Sequence, residues 1–212
     1  SVVNIATATN SQTPPVSAFA TNVSVANGVG DRTWVDRNAN GIQDGGEPGL
    51  TGVTVRVYSG TSNLLATTTS GVAGAYAFTN LPNGSYFLEF APPPSYLVTL
   101  QDQGSDNALD SDIATNTGRT AIFPLSGGTN DTSWDAGFYA LASIGDTTWV
   151  DSNYNGQQDG GEPGLSNVVV TLYNAASNVI GTTTSSLAGA YAFTNLLPGS
   201  YFVTFAPSAG YL

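Results

Sequence analysis

The chain has 212 residues, a formal net charge of −11 and no Cys, His, Met or Lys. It therefore forms no disulfide and offers no thiol nucleophile, imidazole base or Schiff-base amine. The acidic balance argues against a nucleic-acid partner, whose phosphates require a basic face, and it favours cation binding. The abundance of Gly, Thr, Ser and Asn is typical of an extracellular β-protein, and no apolar run reaches membrane-spanning length.

Residues 1–28, here called the lead-in, carry two stretches in which apolar and small polar residues alternate. The stretches VVNIATAT and FATNVSVA are separated by Pro14 and Pro15. Alternation with a period of two predicts β-strands, and a flexible linker is the alternative interpretation.

The segment from Asp36 to Glu47, DRNANGIQDGGE, reads D-x-N-x-N-G-x5-E, the pattern of a twelve-residue calcium loop. In that pattern Gly41 permits the sharp turn at position 6, position 7 offers a backbone carbonyl, and Glu47 closes the sphere with two oxygens. The predicted ligands of this first loop are Asp36, Asn38, Asn40, Ile42 through its carbonyl, Asp44 and Glu47. All of the ligands are oxygens, which suits Ca²⁺ and not zinc or copper.

The residues after this loop predict an all-β sandwich. Val53, Val55 and Val57 alternate with polar positions, and Pro82-Asn83-Gly84 is a turn signal between two further strands. Further predicted strands are Leu64–Thr69, Ala75–Thr79, Ser85–Phe90, Thr120–Leu125 and Thr132–Tyr139. Short strands punctuated by Gly and Pro indicate a sandwich, and no stretch has a helical period.

An acidic segment, Gln101–Arg119, places four aspartates within eleven residues. Like charges this close repel one another unless they are solvated or bridged by a cation. We predict a second calcium site with Asp106, Asp110 and Asp112 as ligands, and a solvated acidic loop is the alternative. Other acidic residues that the sequence alone does not place are Asp31, Asp131 and Asp135.

The chain repeats itself at a constant offset of 115 residues, so that residues 29–97 match residues 144–212 without a gap at about two-thirds identity. A repeat of this length indicates tandem modules, here residues 29–141 and the first part of a second module at residues 142–212. The second loop has the same ligand positions: Asp151, Asn153, Asn155, Gln157 through its carbonyl, Asp159 and Glu162. A polar loop built from Asx-turns without metal is the alternative, and two complete matches disfavour it.

The aromatic residues fall mostly on predicted strands, and we interpret them as sandwich core, with a stacking surface for sugars as the alternative. Three N-x-S/T sequons begin at Asn22, Asn83 and Asn130. Such sequons arise often by chance, so they do not by themselves predict glycosylation.

Several motifs occur together: GD-x-x-W-x-D-x-N-x-x-G-x-Q-D-x-x-E, the following PGL and V-x-V strand, and the later AYAFTNL, LDSDI and WDAGFY. This combination resembles the B-type repeats of serine-aspartate repeat adhesins. The resemblance covers Val29–Tyr139 and, as a partial copy, Ile144–Leu212. It implies calcium-binding, Ig-like sandwiches of the SdrD B-like and Cna-B type in a surface protein, with both loops as Ca²⁺ sites. A related family of B-domains forms Lys–Asn crosslinks, which this chain cannot form because it has no Lys.

We therefore expect an extracellular structural module of a fibre, stalk or adhesin, and not an enzyme, with bound Ca²⁺ stiffening its tandem sandwiches. A ligand- or carbohydrate-binding adhesin domain is the alternative. The expected partners are adjacent modules of a longer chain or further copies of the same protein, in a linear array. In the first case the lead-in forms the closing strands of a preceding domain. In the second case the lead-in of one subunit completes the second module of its neighbour by donor-strand addition.

Overall fold

The computed structural model describes residues 2–8, 16–22, 26–206 and 210–211. Within these ranges the regular structure consists of β-strands and one short 3₁₀ turn at Val72–Gly74, which confirms the all-β prediction. The strands of the lead-in and first unit are β1 (Val2–Ala8), β2 (Val16–Asn22), β3 (Asn27–Val29), β4 (Thr33–Val35), β5 (Thr54–Ser59), β6 (Leu64–Thr69), β7 (Phe78–Leu81), β8 (Gly84–Ala91), β9 (Tyr96–Val98), β10 (Phe123–Leu125), β11 (Asn130–Asp131) and β12 (Ala136–Ala140). Those of the second unit are β13 (Ala142–Thr147), β14 (Val169–Asn174), β15 (Val179–Thr184), β16 (Ala190–Leu196) and β17 (Tyr201–Ala206).

The first unit packs a four-stranded sheet, β10-β8-β5-β6, against two three-stranded sheets, β11-β3-β7 and β4-β12-β9. The core between them takes side chains from both sides, including Val55 and Leu88 from the large sheet and Val29 and Phe138 from the smaller ones. Burial of each such side chain contributes about 1.5–3 kcal/mol, so this layer supplies most of the driving force for folding.

The alternation predicted for β5 is visible in its burial. Val55 and Val57 face the core, whereas Arg56 between them and Tyr58 after them are half-exposed on the outer face. There Glu89 of β8 accepts hydrogen bonds from the side chains of Arg56 and Arg119, so charges lie on the solvent side of the sheet.

Some strands differ from their predicted limits because local hydrogen bonds replace the sheet ladder. β7 begins at Phe78, three residues later than predicted, after the 3₁₀ turn at Val72–Gly74. The predicted strand at Thr132–Tyr139 starts only at Ala136, because the Asp131 carboxylate accepts hydrogen bonds from Ser133 and Trp134 and forms a turn.

The second unit repeats the first as far as the described residues extend. β14 lies between β15 and β17, and β13 pairs with β16, as β5 lies between β6 and β8, and β3 pairs with β7. Val168, Val170 and Leu172 are buried as are their counterparts Val53, Val55 and Val57.

In the lead-in, β1 and β2 pair in antiparallel fashion. β1 lies in the first predicted stretch, and β2 begins three residues before the second and overlaps its first half. Residues 23–25, which belong to the second predicted stretch, lie outside the described residues. Leu141 alone separates the last strand of the first unit from the first strand of the second. In the described part of the chain, no helix is long and apolar enough to span a membrane.

Candidate metal centre

Asp36 begins the first loop directly after β4, and it is fully buried. Its Oδ2 accepts hydrogen bonds from the Gly41 amide at 2.7 Å and from the Thr99 hydroxyl at 2.6 Å. Its own amide donates to the carbonyl of Phe138 at 2.8 Å. The first carboxylate of the loop is therefore held in place by the loop itself, by the segment after β9 and by β12.

Glu47 closes the loop onto its beginning. Its Oε1 accepts the Arg37 amide at 2.7 Å and its Oε2 accepts the Asp44 amide at 3.0 Å. Both carboxylate oxygens of Glu47, the predicted bidentate ligand, thus accept backbone amides of the loop.

Asn38 and Asn40 face Asp44 across the loop. Their side-chain oxygens accept the amides of the residues two positions later, and their Nδ2 atoms donate to Asp44 Oδ2 at 2.8 and 2.9 Å. Rotating each amide by half a turn exchanges nitrogen for oxygen, because the two ends are similar in size. The nitrogen ends of both amides therefore point at Asp44, and a cation beside Asp44 would require the two amides to rotate.

The second loop has the same hydrogen bonds. Gly156 donates to Asp151 Oδ2 at 2.8 Å, Ser152 and Asp159 donate to the Glu162 carboxylate, and Asn153 and Asn155 both donate to Asp159 Oδ2 at 2.7 Å. These two amide donors lower the pKa of Asp159. The amide of Gln157, the predicted carbonyl ligand, donates to Asn155 Oδ1. The two loops differ in the solvent exposure of their first carboxylate, since Asp36 is buried and Asp151 is half-exposed.

The acidic segment packs against the first loop. The amide of Gln43 donates to the carbonyl of Leu109 at 2.6 Å, the amide of Ser111 donates to the carbonyl of Gly41 at 3.1 Å, and Ile42 forms a β-bridge with Asp110. A side chain at Gly41, whose φ is +80°, would lie 2.5 Å from the carbonyl oxygen of Leu100. The acidic segment and Leu100 thus hold the backbone of the first loop in place.

The three aspartates predicted as a second site have different surroundings. Asp106 is exposed and caps a turn through the amide of Ala108, whereas Asp110 and Asp112 are buried. Asp112 Oδ2 accepts the Asp135 amide at 2.6 Å, so its carboxylate faces β12. Asp110 Oδ1 and Asp135 Oδ2 are buried and lack a hydrogen-bond partner in the described part of the chain.

Burial of these carboxylates is electrostatically unfavourable. Desolvation raises the pKa of Asp112 to about 7, and desolvation together with the charges of Asp31 and Asp112 raises the pKa of Asp135 to about 8. The pKa values of Asp31 and Asp110 are also raised, chiefly by desolvation. Asp112 and Asp135 are 3 % and 1 % exposed, so these raised values do not mark a cleft that a substrate can enter.

Across the described ranges, no three Asp, Glu, His or Cys side chains are grouped as a ready-made metal centre. The donor set in each loop is instead three carboxylates and two amides on one short turn, all of which supply oxygen. This set fits a hard cation such as Ca²⁺ once the amides have rotated. Thr99, which orients Asp36, was missed by the sequence analysis, because it lies 63 residues from Asp36 along the chain and belongs to no loop motif.

The second unit has an open cavity of about 430 Å³ beside its loop. It is lined by Thr147, Thr148, Trp149, Asp151, Leu165, Val168 and Phe205. The counterparts of several of these residues in the first unit, among them Trp34 and Leu50, are buried in the packed sandwich. There Trp34 lies against Gly137 of β12, and Gly137 has room for only a hydrogen atom as its side chain.

A family model described as SdrD B-like domain matches residues 27–138 and again residues 142–212. Serine-aspartate repeat-containing protein D of Staphylococcus aureus (strain Newman) is 40 % identical over 185 residues, which are 86 % of this chain and 14 % of that protein. Serine-aspartate repeat-containing protein F of Staphylococcus epidermidis is 41 % identical over 184 residues, 86 % of this chain and 10 % of that protein.

Among solved structures, the Bacillus anthracis TIE protein matches with 16 % identity and a TM-score of 0.44, covering 94 % of this chain and 34 % of that one. The shaft pilin SpaA from Lactobacillus rhamnosus GG matches with 10 % identity and a TM-score of 0.33, covering 87 % of this chain and 89 % of that one. Neither structural likeness is close enough to transfer a function.

Proposed function

This chain belongs to the SdrD B-like domain family, and we propose that it is a structural module of an extracellular fibre, stalk or adhesin whose tandem sandwiches are stiffened by bound Ca²⁺. The observation that carries the proposal is the pair of twelve-residue loops with matching ligand positions and matching internal hydrogen bonds. The relatives that the chain matches are several times longer than the matched region, so the role of the whole protein is part of this proposal.

Stiffening follows from where the first loop is attached. The Asp36 amide bonds to Phe138 of β12, and only Leu141 lies between the end of β12 and the start of the second unit. A cation held by Asp36 and Glu47 ties the loop to itself and thereby fixes the strand that leads into the junction. Extracellular calcium-binding modules have Kd values of about 10⁻⁴–10⁻³ M, so weak sites of this kind suffice where calcium is plentiful.

The thermodynamic mechanism is linkage. A cation that binds only the folded loop stabilises the fold by RT ln(1 + [L]/Kd), which is about 2.7 kcal/mol at a hundredfold excess over Kd. Removing the cation therefore both lowers stability and loosens the junction.

Stiffening is tested by distance measurements between spin labels. The chain contains no cysteine, so Thr67→Cys and Thr182→Cys, exposed positions on β6 and β15, accept labels selectively. We expect calcium to narrow the distribution of distances between the units and Asp36→Ala to broaden it again. A distribution that calcium leaves unchanged, in protein shown by calorimetry to bind it, would refute stiffening while leaving binding intact.

A second cation at the acidic segment is part of the proposal, in the form of a site that includes Asp110 and Asp112. The support for it is the buried, unpartnered oxygens of Asp110 and Asp135, which a cation would compensate. We expect Asp110→Asn combined with Asp112→Asn to reduce the number of bound calcium ions. An unchanged stoichiometry would favour the solvated-loop interpretation.

For assembly, we propose a linear array of adjacent modules. In the alternative, donor-strand addition, the lead-in of a neighbour would take the place of β12 in the second unit. If the lead-in is aligned with β12 at the offset of 115 residues, Asn22 takes the position of Gly137. A Cβ atom at Gly137 would lie 2.6 Å from the Trp34 ring, so this position has no room for an asparagine side chain. The second unit has Trp149 at that place, so this register disfavours the exchange.

Deleting residues 1–27 separates the two assembly modes. The array of adjacent modules predicts that the deletion leaves the association state unchanged in light scattering. Filaments that form with the intact chain and disappear with the deletion would establish donor-strand addition.

A further inference from the structure

The chain has no Lys, so its four arginines are the only residues after which a protease with an acidic specificity pocket cuts. Three of them lie in paired backbone: Arg56 is inside β5 between β6 and β8, and Arg32 and Arg119 each form a β-bridge to another segment. Their guanidinium groups also donate hydrogen bonds, that of Arg32 to two backbone carbonyls and those of Arg56 and Arg119 to Glu89. These three segments are therefore poor protease substrates in the folded protein.

The fourth arginine, Arg37, has different surroundings. It is exposed at position 2 of the first loop and lies outside the strands, and its side chain makes no hydrogen bond or ion pair within the described residues. Its amide donates to Glu47 Oε1 at 2.7 Å, and the next amide, that of Asn38, donates to Asp36 Oδ1 at 3.2 Å. The peptide bond after Arg37 is thus flanked by two bonds to predicted cation ligands and not by a sheet ladder.

In its closed form the loop is not a protease substrate. Proteases bind their substrates as extended strands, whereas the chain after Arg37 turns back through Ala39 with a φ of +56° and Gly41 with a φ of +80°. Cleavage therefore requires the loop to open, and opening breaks the bonds to Asp36 and Glu47. Because the three carboxylates of the loop repel one another when no cation lies between them, removal of the cation favours opening.

We propose that the peptide bond between Arg37 and Asn38 is a cleavage site for arginine-specific serine proteases, accessible only when the first loop lacks its cation. The control by calcium rests on the proposed function. In the reaction the protease serine forms an ester with the Arg37 carbonyl carbon, the bond to the Asn38 nitrogen breaks, and that nitrogen takes a proton and leaves as an amine. Water then hydrolyses the ester. One water is consumed, and no oxidation or reduction occurs.

Cleavage at this bond cuts the only covalent connection between residues 1–37 and the rest of the chain. The N-terminal fragment then stays attached through strand pairing and core packing alone, since β3 pairs with β7 and β11 and β4 pairs with β12. In a fibre under tension such an attachment separates more easily than a continuous chain. Loss of calcium followed by cleavage therefore releases whatever residues 1–37 hold.

The size of the calcium effect follows from linkage. When opening and closing are fast relative to cleavage, the cleavage rate is proportional to the population of the open loop. A cation that binds only the closed loop lowers that population by the factor 1 + [L]/Kd. At a hundredfold excess over Kd we therefore expect cleavage after Arg37 to be about a hundredfold slower than in chelator.

The test is limited digestion of the intact chain with trypsin, in chelator and over a series of calcium concentrations, followed by mass spectrometry of the fragments. In chelator we expect fragments 1–37 and 38–212 to form before any other pair. The rate at Arg37 is expected to be halved when the calcium concentration equals the Kd measured by calorimetry. A first cut after Arg32, Arg56 or Arg119 would overturn the proposal.

Two variants separate the loop from the protease. Glu47→Gln keeps an acceptor for the Arg37 amide but removes a ligand charge, so calcium is expected to slow its cleavage far less. Equal slowing of both proteins would mean that calcium acts on trypsin itself. Ser152 holds position 2 of the second loop, where its amide donates to Glu162 Oε1 at 2.8 Å, and Ser152→Arg is expected to create a second site that calcium protects. If this variant is cut only after Arg37, position 2 is not what makes the site.

Calorimetry on the same samples shows which proposal has failed. Cleavage after Arg37 that calcium leaves unchanged, in protein shown to bind calcium in the first loop, would overturn the control of this site by the cation and leave the proposed function intact. If calorimetry shows no binding, the proposed function fails and the control by calcium fails with it.

Discussion

Replacing Thr99 with valine tests how the first loop is held. Valine has nearly the shape of threonine but lacks the hydroxyl that donates to Asp36 Oδ2 at 2.6 Å, and both residues are buried. A hydrogen bond to a charged group contributes about 1.5–3 kcal/mol, and the carboxylate that remains buried cannot recover it from water. We therefore expect Thr99→Val to lower the free energy of unfolding of the first unit by about 2 kcal/mol.

The matched control is Thr115→Val at an exposed position. It removes the hydrogen bond of 3.1 Å that the Thr115 hydroxyl donates to the neutral carbonyl of Thr99. Neutral hydrogen bonds contribute about 0.5–1.5 kcal/mol, so the control is expected to cost clearly less. A chain of two units need not unfold in a single step. Both variants are therefore made in a Trp149→Phe background, in which tryptophan fluorescence reports only Trp34 and Trp134 of the first unit.

Urea titration of both variants measures the difference directly. Thr99→Val is also expected to weaken calcium binding in the first loop and leave the second loop unchanged, because Asp36 is no longer oriented. A loss no larger than that of Thr115→Val, with calcium affinity unaltered, would refute the claim that Thr99 positions this carboxylate.

Other predictions address the loop ligands, the buried acids and the sandwich. Asp36→Ala or Glu47→Ala should abolish calcium binding in the first loop and leave the second nearly intact, as measured by calorimetry. Burial raises the pKa of Asp112 to about 7 and that of Asp135 to about 8, so the folded state holds protons that the unfolded state releases near pH 4. The melting temperature of the calcium-free protein should therefore fall as the pH rises from about 4 to about 8; a rise over this range would contradict the burial argument. Gly137→Ala should destabilise the first unit by about 1–3 kcal/mol in urea titration, because its Cβ would meet Trp34. Gly45→Ala should be nearly neutral, because no atom of the described residues lies within 4 Å of its Cβ position.

Sequence reasoning succeeded where the determinants are local. The order of Asp36, Asn38, Asn40 and Gly41 specifies a turn with a set of hydrogen bonds inside the loop itself, and the structure contains those bonds. The β5 strand was predictable for the same reason, since alternation along one strand decides which side chains enter the core.

Contacts between distant segments were not predictable in this way. Asp112 was grouped with Asp106 because the two are close in sequence, but it is the backbone pairing of Asp112 with Asp135 that decides where its carboxylate lies. Asp106 instead satisfies a local turn at the surface. Neither Thr99 nor Asp135 carries a motif that marks its contact, because each contact is created by the sandwich as a whole.

The measurement that tests the central claim most directly is the melting curve of the intact chain, first loaded with calcium and verified by calorimetry, and then placed in excess chelator. Linkage predicts a lower melting temperature after chelation, restored by added calcium, with a smaller response in Asp36→Ala and almost none when Asp151→Ala is added to it. A melting curve that excess chelator leaves unchanged would contradict the account of these loops as stabilising calcium sites.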